Sequence, residues 1–176
     1  MAKVAICVDA EYEDTELDFP RECLTRGGHD VVIVGTQAGK RLKGRRGRSS
    51  VGVQRSSREV RANEFDAIVI PGGHSPDRLR LDEAMVSFVR DAVVQDKLVA
   101  AACHGTQLLI EADVVRDRAV TSWRSIKRDL INAGAIFRDQ QVVEDGKFIT
   151  SGNPDGVEAF ADAILRRLGP AQTWAA

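Results

Sequence analysis

Apolar positions along this chain follow two rhythms. Unbroken runs at Lys3–Val8, Asp30–Gly35, Phe65–Ile70 and Leu98–Ala102 are too short for helices and consist largely of Val, Ile and Ala. That is the pattern of strands buried on both faces. Between them the spacing becomes helical. Glu13–Arg26 sets Leu17, Cys23 and Leu24 on one face and stops at Gly27-Gly28, with Pro20 either in its first turn or interrupting it. Leu81–Gln95 carries Met85, Phe88, Val89 and Val93 on a second amphipathic face.

The rhythm lapses from Gln37 to Glu59, where glycines recur at Gly39, Gly44, Gly47 and Gly52 and Ser50–Gln54 reads as a strand. An exposed hairpin arm is expected there. After Leu98–Ala102 the chain reads as a turn at Cys103-His104-Gly105, a helix through Gln107–Ile110, a strand near Ala119–Ser122 and a helix over Ser125–Ala133. Two edge strands, around Ile136–Val143 and Phe148–Ser151, and a closing helix from Pro154 to Leu168 complete it. Buried strands alternating with helices predict a mostly parallel sheet covered on both faces, and right-handed crossovers make it a doubly wound α/β sandwich.

Length and charge narrow the picture. A chain of 176 residues fits one core, so residues 1–176 are expected to form a single domain without a linker. Apolar residues at 43% and charged residues at 29% exclude disorder, and a net charge of -1 gives no overall pull toward nucleic acid or anionic membrane. No apolar run approaches the ~18–20 residues of a spanning helix. Met1-Ala2-Lys3 enters a strand directly, and Cys7, Cys23 and Cys103 are widely spaced with no Cys-x-x-Cys pair. The expectation is a cytoplasmic protein with reduced thiols.

In a doubly wound sheet the carboxyl ends of the parallel strands share one edge, where ligands bind. Three loops converge there: Asp9–Asp14, Pro71–Asp77 and Cys103–Gly105. Ala100-Ala101-Ala102 before Cys103 and Gly105 two residues after it suit a nucleophile elbow, a strand-to-helix turn too sharp for bulky neighbours. The partial positive charge of a helix start favours a thiolate at such a turn. Glu13 is the candidate for a shielded, protonated carboxyl group that donates a hydrogen bond to that thiolate, although Glu11, Glu13, Asp14 and Glu16 also read as a solvated acidic helix start. Gly73 allows close backbone approach, so its amide and that of His104 form a candidate oxyanion hole.

The ordered matches Glu11-Tyr12-Glu13-Asp14-Thr15-Glu16-Leu17, Phe65-Asp66-Ala67 with Pro71-Gly72-Gly73-His74-Ser75-Pro76-Asp77, Ala102-Cys103-His104-Gly105 and Ile131-Asn132-Ala133-Gly134 extend over nearly the whole chain. In these the sequence resembles the ThiJ/PfpI superfamily, most closely its PfpI-like branch. The resemblance implies a flavodoxin-like fold, Cys103 as nucleophile, Glu13 as its protonated partner and His104 as the adjacent histidine. It also implies that Asp77 of a neighbouring subunit completes the site, which would make the protein a homo-oligomer, at least a dimer. Two departures stand out: Thr106 occupies a position where many relatives have proline, and Gly152 one where an arginine is common.

Other residues are read more plainly. Lys40, Arg41, Lys43, Arg45, Arg46 and Arg48 form a basic cluster with no interleaved aromatic residue, which suits a solvated hairpin better than nucleic acid. His29 suits a helix C-terminus. His74 and Trp123 are candidates for the pocket wall, and three scattered histidines have no zinc-ligand spacing, so neither metal nor cofactor is expected. Three functions are consistent with a reactive cysteine in this setting. The first is an enzyme acting on 2-oxoaldehydes or their early adducts on amines and thiols, in the manner of a glyoxalase or a deglycase, with a small carbonyl compound or a glycated protein as partner. The others are an intracellular cysteine peptidase and a stress sensor that uses Cys103 oxidation.

Overall fold

The computed structural model describes residues 1–169. Strand β1 (Lys3–Cys7) leads through helix α1 (Asp14–Arg26) to β2 (Asp30–Gly35). A hairpin of β3 (Arg41–Lys43) and β4 (Ser50–Gly52) precedes the short β5 (Arg55–Ser56) and β6 (Ala67–Ile70). Helices α2 (Ser75–Leu79) and α3 (Glu83–Val94) carry the chain to β7 (Leu98–Ala102), and α4 (Thr106–Glu111) follows. Then come β8 (Ala119–Val120), α5 (Lys127–Asn132), β9 (Ile136–Phe137), β10 (Val142–Asp145), β11 (Phe148–Ser151) and α6 (Val157–Leu168).

Seven strands form one sheet in the order β10-β11-β7-β6-β1-β2-β5. All its neighbours run parallel except β10 against β11. The continuous apolar runs have the expected cause, because period-two alternation sends their side chains into two separate cores. Ala5 and Cys7 of β1 join Ile68, Ile70, Met85, Phe88 and Leu108 on one face. Val4 and Ile6 join Leu17, Leu24, Val69, Phe160 and Ile164 on the other. Cys7 is therefore core, and burial pushes its thiol well above the ordinary value.

Four expectations change in the structure. Phe148–Ser151 is not an edge strand: it pairs parallel with β7 on one side and antiparallel with β10 on the other. Ile136–Phe137 leaves the main sheet to pair with β8. The hairpin is no free arm either, since Leu42, Val51 and Val53 pack into the core beside α1 and α6. Helix α1 runs through Pro20, which is buried in the middle of it.

The chain leaves β1 toward β2 and returns to β6 on the other side of β1. The direction of strand order therefore reverses between β1 and β6, and loops diverge from their carboxyl ends to open a crevice. An isolated bridge from Tyr12 to Gly73 ties the β1 and β6 loops together there.

Candidate active site

The elbow after β7 forms as its sequence requires. Ala102 ends the strand in extended conformation, a single 3-10 turn spans Cys103–Gly105, and α4 begins at Thr106. Cys103 has φ 55°, a left-handed conformation that an L-residue adopts only when its surroundings impose it. Gly105 lies against β6, where an added Cβ would press into the carbonyl oxygen of Ile70. Thr106 fits its place: the buried hydroxyl donates to the Cys103 carbonyl at 3.2 Å.

The thiol is 6% exposed and lies between polar groups from all three loops. The backbone N–H groups of His104 and Gly73 face the sulfur and favour its anion. Gly73 holds its amide there through a left-handed φ of 80°. The His104 ring approaches from the open side, with Nδ1 3.3 Å from Sγ, and stacks on Trp123 at 6.3 Å between centroids. Burial, then the charges of His74 and Arg45, lower the His104 pKa, so its ring is neutral near pH 7.

The carboxyl group against the thiol belongs to Glu16, not to Glu13. Glu16 is fully buried, and its Oε2 accepts the Gly72 N–H at 2.8 Å. Its Oε1 has no hydrogen-bond partner among the described residues, and the carboxyl group lies close enough to the Cys103 thiol for each to shift the other's pKa. Burial raises its pKa to about 7, aided by the Glu13 charge and opposed by the Gly72 amide. Burial and the Glu16 charge push the thiol upward, against the two amide donors. The expected lowering by the helix start alone therefore does not describe this site.

Glu13 stands at the N-cap of α1 in extended conformation, and its side chain turns to the hairpin. There it meets Arg46 Nε at 3.0 Å and Arg45 Nε at 3.6 Å. The acidic start of α1 thus divides between two roles, and one helical turn separates them. Glu16 shares the inward face with Leu17, Pro20 and Leu24, all buried. That pattern was the available signal, and it is masked by the run of acids around it.

A cleft of about 870 Å³ opens above the thiol. Its walls include Glu13, Arg45, Arg46, His104, Thr121, Trp123, Arg124, Gln141, Gly152 and Asn153. Trp123 lines the cleft. His74 does not: it is 66% exposed outside the cleft and approaches Glu11, which is paired with Arg78. Asp77 is exposed on α2 and forms no hydrogen bond with His104 of its own chain. Gly152 leaves open space where a larger side chain would project, its nearest neighbours lying 3.5 Å from an added Cβ. Among the described residues no group of three His, Cys, Asp or Glu side chains is placed to hold a metal ion, and no helix is long and apolar enough to cross a membrane.

The family model for the DJ-1/PfpI family matches residues 2–167. The chain belongs to the DJ-1/PfpI family. Among its DJ-1/PfpI relatives, protein/nucleic acid deglycase 2 of Escherichia coli (strain K12) is 47% identical over 95% of this chain and 98% of its own length. Deglycase PfpI of Pyrococcus furiosus is 40% identical, covering 90% of this chain and 94% of that protein. General stress protein 18 of Bacillus subtilis (strain 168) is 38% identical over 94% of this chain and 97% of its own. Among solved structures, a two-domain protein of Anabaena variabilis with DJ-1/ThiJ/PfpI-like and ferritin-like domains superposes with TM-score 0.95 at 44% identity. That match covers 97% of this chain and 49% of the other, so this chain spans about half that protein's length. Drosophila melanogaster DJ-1beta superposes with TM-score 0.88 at 26% identity, over 95% of this chain and 90% of that one. The flavodoxin-like fold of the DJ-1/PfpI family is thus the fold of this chain.

The turn of the hairpin that forms one wall is held by the Asp14 carboxylate, alongside the Tyr12 carbonyl that accepts the Arg45 N–H at 2.8 Å. Asp14 accepts the backbone N–H groups of Ser49 at 2.9 Å and of Arg46 and Arg48 at 3.0 Å. Burial raises its pKa, but these amides outweigh burial and hold it below the ordinary value. A depressed folded-state pKa gives stability that is present above the unfolded value and lost as pH falls through the folded one. Asp14→Asn, which keeps one acceptor oxygen and loses the charge, is expected to cost about 2 kcal/mol. Limited proteolysis between residues 44 and 49 checks this: cleavage should quicken in the variant, and wild type should approach its rate only in acid.

Proposed function

We propose that this protein is a cysteine-dependent deglycase that releases amines and thiols from their early 2-oxoaldehyde adducts. The observation that carries the reading is the set of groups around one strained cysteine at the floor of a cleft: two amides, one buried carboxyl and one neutral imidazole. The relatives named deglycase support it.

In this reading Cys103 is the nucleophile. Its sulfur displaces the amine or thiol from the adduct carbon of a methylglyoxal adduct while neutral His104, with Nδ1 3.3 Å from the sulfur, relays the thiol proton to the leaving group, giving a hemithioacetal on the enzyme and the free amine or thiol. A proton then passes from that carbon to the neighbouring ketone carbon through an enediol, which oxidises the first carbon and reduces the second within the same molecule. The product is a lactoyl thioester, and water hydrolyses it to lactate and free Cys103. Gly73 and His104 amides hold the oxygen that becomes negative. Neutral His104 takes the proton, and Glu16, protonated up to about pH 7, returns one. We place Asp77 of a second copy at the outer nitrogen of His104, because Asp77 is exposed on its own chain. Reduced thiols with no disulfide partner suit a cytoplasmic setting.

The test is to supply a methylglyoxal adduct of a blocked cysteine and follow lactate and free thiol together. Wild type should release both in equal amounts and Cys103→Ala neither. Asp77→Ala should be slow alone and recover when refolded together with Cys103→Ala, since the mixed dimer holds one complete site. A relative in Bacillus subtilis is named, provisionally, cysteine protease YraA. Cleavage of a fluorogenic peptide that is lost in Cys103→Ala, without lactate release, would overturn the deglycase reading.

A further inference from the structure

The basic hairpin does not end in solvent. Its turn is pinned by Asp14, and this pinning presents Arg45 and Arg46 to the same cleft as Cys103. Each keeps a large open surface, with side chains 42% and 49% exposed. The carboxylate paired with both guanidinium groups is Glu13, which is 3% exposed, while the buried Asp14 carboxylate is taken up by the backbone N–H groups of the turn. Two guanidinium groups share one buried carboxylate, so positive charge is concentrated on the hairpin side of the cleft. Arg124 adds to it farther out, and Asp139 and Asp155 stand exposed on the rim.

The field of these arginines reaches the reacting groups. Arg45 lowers the pKa of His104 and also that of Glu16, so its charge acts across the cleft floor. Gly152 meanwhile adds no side chain of its own to the opposite wall, where Asp139 and Asp155 are the charged groups. Arginine is suited to a carboxylate or phosphate because its fork of N–H groups can pair with two oxygens at once. Glu13 meets the Nε side of both guanidinium groups and so leaves their terminal N–H groups without a carboxylate partner among the described residues.

We propose that Arg45 and Arg46 form an anion anchor beside the nucleophile, with Glu13 as its internal counter-ion, so that the cleft selects adducts carrying a carboxylate or phosphate group near the carbonyl carbon. The anchor rests on the reading of Cys103 as the reacting group and names the class of substrate that group would meet. Asp14 is a positioning residue for the anchor, since it holds the hairpin turn without facing the substrate.

The test uses two alkylating agents of nearly equal size, iodoacetate and iodoacetamide, so it does not depend on deglycase turnover. The ratio of their Cys103 alkylation rates, compared with the same ratio for a blocked free cysteine, reports the field at the thiol. Wild type should favour the anionic agent by about fivefold over the free cysteine at low salt, and added salt should erode this. Arg45→Gln and Arg46→Gln should each lower the ratio, the double variant should bring it to that of free cysteine, and Glu13→Gln should raise it. Equal ratios for wild type and free cysteine, or a ratio unmoved in the double variant, overturn the anchor even if lactate release succeeds. An elevated ratio without lactate release would instead sink the deglycase reading and leave the anchor standing. Protection against iodoacetamide by inorganic phosphate or by acetate at equal ionic strength then distinguishes the two anions.

Discussion

Gly105→Ala is expected to destabilise the protein by about 3 kcal/mol, lowering Tm by about 10 °C, because one added methyl group would meet a backbone atom that cannot move aside. The atom is the Ile70 carbonyl oxygen, at the end of β6. β6 is central in the sheet, paired with β1 and β7, so displacing its end strains two ladders at once. The backbone of Gly105 itself is helical, with φ -54°, so alanine would be tolerated there if space alone did not forbid it. The close approach is what brings the β7 elbow against the loop after β6, and so brings the Gly73 amide to the Cys103 sulfur. Alkylation of Cys103 should therefore slow in the variant even below its melting transition. Gly152→Ala is the control. Its Cβ would meet nothing closer than 3.5 Å, and its stability should stay within about 0.5 kcal/mol of wild type. Thermal melts of the two variants check the contrast, and equal melting temperatures would remove the elbow's packing from the explanation.

That glycine also shows what was legible in the sequence. Small residues before Cys103 and a glycine two positions later are local requirements of a sharp turn, and local requirements leave a mark in the chain. The same holds for Gly73, whose left-handed φ is a backbone property. The buried strands were legible because both of their faces are core. Less was legible where a residue's role depends on what another segment brings to it. Ile136–Phe137 and Val142–Asp145 read as one edge element, yet they pair with different strands. Phe148–Ser151 resembles an edge strand locally, but the partner that covers it, β7, lies far away in sequence. The hairpin read as solvated because its arginines outnumber its apolar residues. Leu42, Val51 and Val53 suffice to dock it, and Asp14 does the rest from another element. The choice between Glu13 and Glu16 turned on one helical turn, which the motif alone does not resolve.

Glu16→Gln is expected to make the protein more stable above pH 7 and to leave the thiol its hydrogen-bond donor. In the folded protein burial lifts the Glu16 pKa from the ordinary 4.5 to about 7. A group whose folded pKa is raised contributes stability below its unfolded value, and loses it as pH rises through the folded value. Between pH 4.5 and 7 the unfolded chain releases this proton while the folded one keeps it, so folding weakens by about 3 kcal/mol across that window. Glutamine has no proton to lose. The variant should thus exceed wild type by up to about 3 kcal/mol at pH 8 and lose this margin as pH falls toward 4.5. Denaturant melts at several pH values measure the margin directly, and a constant difference across the range would mean that Glu16 does not titrate as described. The same carboxyl governs the sulfur. When the carboxyl loses its proton near pH 7, its charge opposes ionisation of the sulfur, so wild-type alkylation by iodoacetamide should rise less steeply above that pH than in Glu16→Gln. Glutamine keeps an N–H directed at the sulfur and removes the competing charge. Leucine removes the donor as well, leaving the thiolate with the Gly73 and His104 amides in a drier site. At pH 8 Glu16→Gln should therefore alkylate at least about tenfold faster than Glu16→Leu, the equivalent of one pKa unit between them. Coincident profiles for the two variants would show that the thiolate draws no hydrogen bond from position 16, and would return the acid's role to the open question of what else lies against the sulfur.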